Sequence, residues 1–117
     1  MGEFLDVYYV VTYIPADAAD EFLQKVTTQI PKLCGEYDRC AWWSAKGTEQ
    51  FRPLEGARPE RGVIGAVEQY PSVRLEFCLP MDQIALSRMV ETVIRPAHPY
   101  EEPVIIVQRA QISRPHF

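Results

Sequence analysis

The order of segments predicts an α+β domain in which one antiparallel sheet carries two helices on one face. Three observations lead there. Stretches of strand character and helix character follow one another as β-α-β-β-α-β. Two joints echo each other: Ile14-Pro15-Ala16-Asp17 recurs 65 positions later as Leu79-Pro80-Met81-Asp82. The chain has 117 residues, 47% of them hydrophobic, which suits one core and one domain.

The first strand spans Leu5 to Tyr13, a nearly continuous run of β-branched and aromatic residues that reads as a central strand. Pro15 stops it. Ala19, Phe22, Leu23, Val26 and Ile30 then recur at helical spacing, with Asp17, Asp20 and Glu21 near the positive end of the helix dipole and Pro31 at its close. Gly35-Glu36-Tyr37-Asp38 is a turn. Arg39 to Lys46 reads as a strand whose adjacent tryptophans, Trp42 and Trp43, face opposite sides; one is expected in the core and the other against a subunit partner. Residues 47–62, rich in Gly, Pro, Arg and Glu, form a long loop, and Val63 to Glu68 a short strand. Val73 to Leu79 alternates cleanly, with Arg74 and Glu76 outward. Asp82 precedes a second helix with Leu86, Met89, Val90 and Val93 on one stripe, ended by Pro96. Val104 to Val107 is the last strand. Two β-α-β halves with matching joints are the pattern of the ferredoxin-like sandwich. Residues 1–112 form that single domain and 113–117 a C-terminal tail. The face without helices needs cover, expected from another subunit.

Charge narrows the partners. The formal net charge is −4 and the basic residues are scattered, which argues against nucleic acid and anionic membrane. No stretch approaches the 18 apolar residues of a membrane span, and the N-terminal residues lack a signal-peptide pattern. Cys34, Cys40 and Cys78 form no C-x-x-C pair. They read as reduced thiols in a cytoplasmic protein, two of them buried.

Three segments carry a family resemblance: Gly35-Glu36-Tyr37-Asp38-Arg39-Cys40, the stretch Gly47-Thr48-Glu49-Gln50-Phe51-Arg52-Pro53-Leu54-Glu55-Gly56-Ala57-Arg58-Pro59, and His98-Pro99-Tyr100-Glu101-Glu102-Pro103. Together they resemble the YqfO-type domain, which is inserted in bacterial members of the dinuclear-metal-centre hexameric family (the NGG-interacting-factor-like proteins) and also occurs as a short stand-alone protein. The resemblance runs from about Val7 to Val107 and extends to the fold of CutA and the PII signalling proteins. It implies a stand-alone accessory module without the metal-centre part, and a homotrimer by analogy with CutA and PII. Pro31 and the tail depart from the family pattern.

His98-Pro99-Tyr100-Glu101-Glu102-Pro103 is the sharpest motif. Its prolines pre-set the backbone around an imidazole, a phenol and two carboxylates. His98 with Glu102 offers ligands for a divalent metal ion, the one cofactor the residues suggest; a rigid helix-to-strand connector is the competing reading. Arg52 presents a planar fork for carboxylate or phosphate, with Glu55 as its alternative internal partner. Cys40 beside Asp38 reads as a structural cysteine at a strand start. No catalytic residue is assigned. Tyr37, Asp38, Arg52, Glu55, His98, Tyr100, Glu101 and Glu102 are expected to line one shared ligand pocket at the strand ends. The function expected is a non-catalytic, homo-oligomeric module that senses or binds a small ligand or metal ion. The alternatives are a metal-assisted hydrolase and a structural module acting with a dinuclear-metal-centre protein partner.

Overall fold

A computed structural model describes residues Gly2–Arg114. Five strands and two helical runs appear as β-α-β-β-β-α-β, with one strand more between the helices than the expected β-α-β-β-α-β. Strand β1 is Phe4–Pro15; a tight turn at Ala16–Ala18 leads into helix α1, Ala19–Thr27. Strands β2 (Trp42–Trp43), β3 (Gly47–Phe51) and β4 (Glu68–Pro80) follow. Helix α2 covers 83–97, and strand β5 is Ile105–Ser113.

All strand pairs are antiparallel, in the order β2-β4-β1-β5, with β3 also on β4. Each half is therefore a split β-α-β unit, the ferredoxin-like arrangement. β1 and β4 are central because both are apolar on the helix side. Register pairs Tyr8 with Leu79, Val10 with Phe77, Thr12 with Leu75 and Ile14 with Val73. The apolar side chains among them join Phe22, Leu23 and Val26 of α1 and Met89 and Ile94 of α2 in one core. Asp82 caps α2 by accepting a hydrogen bond from the Ile84 N–H at 3.0 Å. The middle of α2, Met89–Ile94, is wound as a wider π-helix just before Pro96. In an ideal α-helix the Pro96 ring would meet the carbonyl of Thr92; the wider winding relieves that clash.

Five expectations about the strands and the tryptophans are corrected. The strand expected over Arg39 to Lys46 shrinks to Trp42–Trp43. Arg39 takes a left-handed backbone (φ 55°), and at Ser44 the hydroxyl, not the carbonyl, accepts the Arg74 N–H at 2.9 Å, which breaks the ladder. Strand β3 then starts inside the expected loop, so β2 and β3 lie in line along β4 as one interrupted edge. Val63 to Glu68 is not a strand. Gly62 and Gly65 adopt φ of 92° and 85°, and the Gly65 N–H donates to the Pro53 carbonyl at 2.7 Å, folding this stretch back on the loop. Neither tryptophan enters the core: Trp42 is 55% and Trp43 50% exposed. The last strand continues through Ser113, opposite Phe4, into what was expected to be the tail. Pro115, His116 and Phe117 lie outside the described residues.

The opposite sheet face has no helix among the described residues. Val7 and Val11 are buried in it, Tyr9, Tyr13, Glu76 and Cys78 are half-buried, and Ile106 is exposed. None of the three cysteines is fully buried, against the expectation for two of them; all are unpaired thiols. Among the described residues no helix is long and apolar enough to cross a membrane.

Phe22 is 1% exposed at the centre of the core. Phe22→Ala is expected to lower unfolding free energy by about 3–5 kcal/mol, read from urea denaturation. An exposed control, Ile84→Ala, is expected to change it by no more than about 0.5 kcal/mol.

Candidate functional site

The link between α2 and β5, residues 98–104, is pinned to the end of β1 at both ends. Thr12 is fully buried, and its hydroxyl donates to the Val104 carbonyl at 2.7 Å. His98 is 7% exposed; its Nε2 lies 2.6 Å from the Tyr13 carbonyl, and its Nδ1 accepts the Tyr100 N–H at 3.1 Å. A backbone N–H on Nδ1 leaves Nε2 as the protonated nitrogen, so the ring is neutral and donates to Tyr13. Burial pushes the His98 pKa below the usual 6.5, only partly opposed by the bond to Tyr13 and by Glu49.

From this clamp a ladder of aromatic rings runs outward. Phe22 meets His98 edge-on at 5.3 Å, His98 lies 5.0 Å from Tyr100, Tyr100 meets Phe51 at 5.7 Å, and Phe51 stacks on Tyr70 at 5.7 Å. The Tyr100 hydroxyl is buried with no hydrogen-bond partner among the described residues. An unpartnered buried hydroxyl costs about 1–3 kcal/mol. Burial, and then Glu49, push its pKa up to about 12, so it stays protonated.

Beside the ladder opens a cleft of about 880 Å³, a volume in the range of small-molecule sites. Its walls are β3, the loop 52–61 and the link. Two ties hold the loop. Arg61 grips Asp17 with two guanidinium nitrogens, at 2.7 and 3.0 Å, and each group pushes the other's pKa toward the charged form. The Arg58 N–H donates to the Glu101 carboxylate at 2.7 Å, joining loop to link.

Of the residues read from the sequence, Arg52, Glu55, Tyr100, Glu101 and Glu102 line this cleft. His98 does not: it lies beneath, with both ring nitrogens held by backbone groups. Tyr37, 80% exposed, lines a second cavity of about 570 Å³ with Cys34, Cys40 and Cys78. Asp38 lines neither. Within one chain the expected single pocket is therefore two. Arg52 and Glu55 form no ion pair with each other. Among the described residues no group of three or more His, Cys, Asp or Glu side chains is placed to hold a metal ion. Glu49, Phe51 and Arg61 were missed. Arg61 meets Asp17 across 44 positions, which no local pattern signals.

No protein-family model matches the chain. It is similar to a curated protein named GTP cyclohydrolase 1 type 2 homolog from Staphylococcus aureus (strain Mu50), 38% identical over 100 residues that cover 85% of this chain and 26% of that one. A protein of the same name from Mycobacterium leprae is 44% identical over 93 residues, 80% of this chain and 23% of that one. Among solved structures, a Bacillus cereus protein related to NIF3 superposes with a TM-score of 0.69 and 28% identity, over 93% of this chain and 27% of that one. The chain is a YqfO-like domain. It spans about a quarter of the length of the curated relatives it matches. The same fold is shared by the divalent cation tolerance protein CutA1 from Thermus thermophilus (TM-score 0.59, 15% identity, 89% of this chain and 82% of that one). It is shared also by CPII, a nitrogen regulatory PII-like protein from Thiomonas intermedia (TM-score 0.52, 15% identity, 97% and 99%), whose structure holds ADP, AMP and bicarbonate.

The clamp makes a pH prediction. Because folding lowers the His98 pKa, the unfolded chain binds more protons below 6.5. The stability from neutral His98 is complete above pH 6.5 and is lost as pH falls through the folded value. Urea denaturation of the native chain is expected to show stability falling from about pH 7.5 to about 5.5, and His98→Gln to flatten that slope. An equally steep slope in the variant would assign it to other groups.

Proposed function

We propose that this YqfO-like domain is a non-catalytic, homo-oligomeric module that binds a small ligand in the cleft between β3, the loop 52–61 and the link. One observation carries the reading. The two most specific segments of the sequence, Phe51-Arg52-Pro53-Leu54-Glu55-Gly56-Ala57 and Tyr100-Glu101-Glu102, are remote in the chain yet wall one cleft of ligand size. Both are braced from behind, one by Arg61 and Asp17, the other by the His98 clamp. Such bracing pre-organises polar groups at a surface that would otherwise be mobile.

The sheet supports assembly. Its helix-free face is partly apolar, and the extents of 54 × 27 × 20 Å with a radius of gyration of 16.0 Å exceed the roughly 13 Å expected for a compact domain of this size. A trimer is favoured by the fold shared with CutA and PII-like proteins. A divalent ion, as the ligand, would meet the glutamates of the cleft rather than His98, whose nitrogens are occupied. Three unpaired thiols fit a reducing cytoplasm.

A second reading, a protein-docking module, is favoured by Leu54, Val63, Ile64 and Val67, all at least half exposed on one loop beside the cleft.

Native mass spectrometry of untagged protein, purified without chelator, separates these. A trimer carrying a stoichiometric adduct is the expected result. A clean oligomer moves the function to protein docking, and a monomer overturns the assembly.

A further inference from the structure

We propose that Cys40 and Cys78 form a reversible disulfide across the edge of β4, with a small oxidised disulfide such as glutathione disulfide as the reagent. The pair lies in the second cavity, apart from the cleft, and does not depend on what the cleft binds.

Strand register brings the two thiols together. β2 pairs with β4 antiparallel, Trp42 opposite Glu76 and Trp43 opposite Leu75. The Ser44 N–H donates to the Arg74 carbonyl at 2.9 Å, which keeps the same register one position further. Carried the other way, two positions beyond Trp42, this register sets Cys40 opposite Cys78. No turn or bend intervenes at Cys40 or Ala41. Side chains two apart on extended chain share a face, so Cys40 follows Trp42, and Cys78 follows Glu76, onto the same side. Directly opposed residues of an antiparallel pair have Cα atoms about 4.5–5.5 Å apart, a separation that a disulfide spans. The cavity is a second, separate sign of proximity. Both cysteines line it, Cys40 from the segment before β2 and Cys78 from β4.

The two thiols differ in access. Cys40 is exposed and Cys78 half-buried. The Cys40 Sγ makes a long contact, 3.6 Å, with the Asp38 carbonyl, and a sulfhydryl is a weak donor, so little keeps it from turning toward β4. Burial, and then Glu76, push the Cys78 thiol pKa up, so Cys40 reacts first. Its thiolate attacks one sulfur of glutathione disulfide and releases one glutathione thiol. Cys78 then gives up its proton, attacks the Cys40 sulfur and releases the second. Two protein thiols lose two electrons and two protons, and one small disulfide becomes two thiols. Cys34 lines the same cavity and stays a free thiol.

The bond changes how the segment 28–41 is held. That segment is closed on itself by the Arg39 N–H donating to the Ile30 carbonyl at 3.1 Å, and it runs into the two-residue β2. A Cys40–Cys78 bond fastens it to β4 beyond the point where the ladder stops. In reducing surroundings the bond is open, and it closes as the oxidised disulfide accumulates.

The test is incubation of the intact, untagged, reduced protein in glutathione buffers of rising oxidised fraction, followed by alkylation and peptide mass mapping. The expected product is a Cys40–Cys78 bond within one chain, with Cys34 alone alkylated, and full reversal by dithiothreitol. Cys40→Ser, at an exposed position, is expected to abolish the bond without a folding defect, as is Cys78→Ser, and Cys34→Ser to leave it unchanged. Tryptic cleavage after Lys32, exposed in the segment, is expected to slow severalfold on oxidation. In denaturing urea the preference is expected to pass to Cys34 and Cys40, the nearest pair along the chain, so that the native pairing reports the fold. A Cys34–Cys40 bond in the native protein, bonds only between chains, or glutathione left on Cys40 with no internal bond would each overturn the proposal. So would three free thiols after incubation in glutathione disulfide alone, or an unchanged cleavage rate at Lys32.

Discussion

Two buried hydrogen bonds at the end of β1 hold the rest of the site in place. His98 donates to the Tyr13 carbonyl and Thr12 to the Val104 carbonyl, so the link 98–104 is fixed to the central strand at both of its ends. Both bonds sit where the β1–β5 ladder stops, at Thr12 opposite Ile105. Each also satisfies a side chain buried at 7% exposure or less, where an unmade bond is costly. The short link therefore has little freedom. Pro99 and Pro103 remove more of it by narrowing the unfolded ensemble. Tyr100, Glu101 and Glu102 inherit their positions from this arrangement.

The cleft's other wall is held by weaker means. The Arg61–Asp17 pair is solvent-exposed, and such pairs contribute little to global stability. Its effect is local: it ties the far end of loop 52–61 to the start of α1, while Arg58 ties the loop to Glu101 and Gly65 ties it to Pro53. One wall is thus built on the core and the other is strapped to it. A module that admits a ligand needs that asymmetry, since the elements that open are drawn from the less stable parts of a fold.

Much of the fold was legible because its central elements carry strong patterns. β1 is almost uninterrupted in hydrophobicity, β4 alternates residue by residue, and both helices show one apolar stripe. The edges were not legible. Gly47-Thr48-Glu49-Gln50-Phe51 has a loop's composition yet pairs along β4, because an edge strand buries little. Gln108 to Gln111 hid the second half of β5 in the same way. The tryptophans misled because their size suggested burial, while their place on a two-residue edge strand leaves them exposed. At the site, the link and the loop were visible as Pro- and Gly-shaped polar segments, and five of the named side chains do line the cleft. His98 was misplaced: an imidazole beside carboxylates reads as a ligand until its two backbone partners are seen. Tyr37 and Asp38 sit elsewhere because the segment 28–41 follows the sheet's other flank, around the thiol-lined cavity.

Nitrogen-15 NMR of the His98 ring tests the central claim most directly, because the tautomer and the occupancy of both nitrogens can be read from one residue. The structure predicts a neutral ring at about pH 7, protonated on Nε2 and unprotonated on Nδ1, unchanged by added divalent metal. A ring protonated on Nδ1, a charged ring at that pH, or a metal-induced shift at either nitrogen would contradict the clamp and with it the placement of the cleft's inner wall.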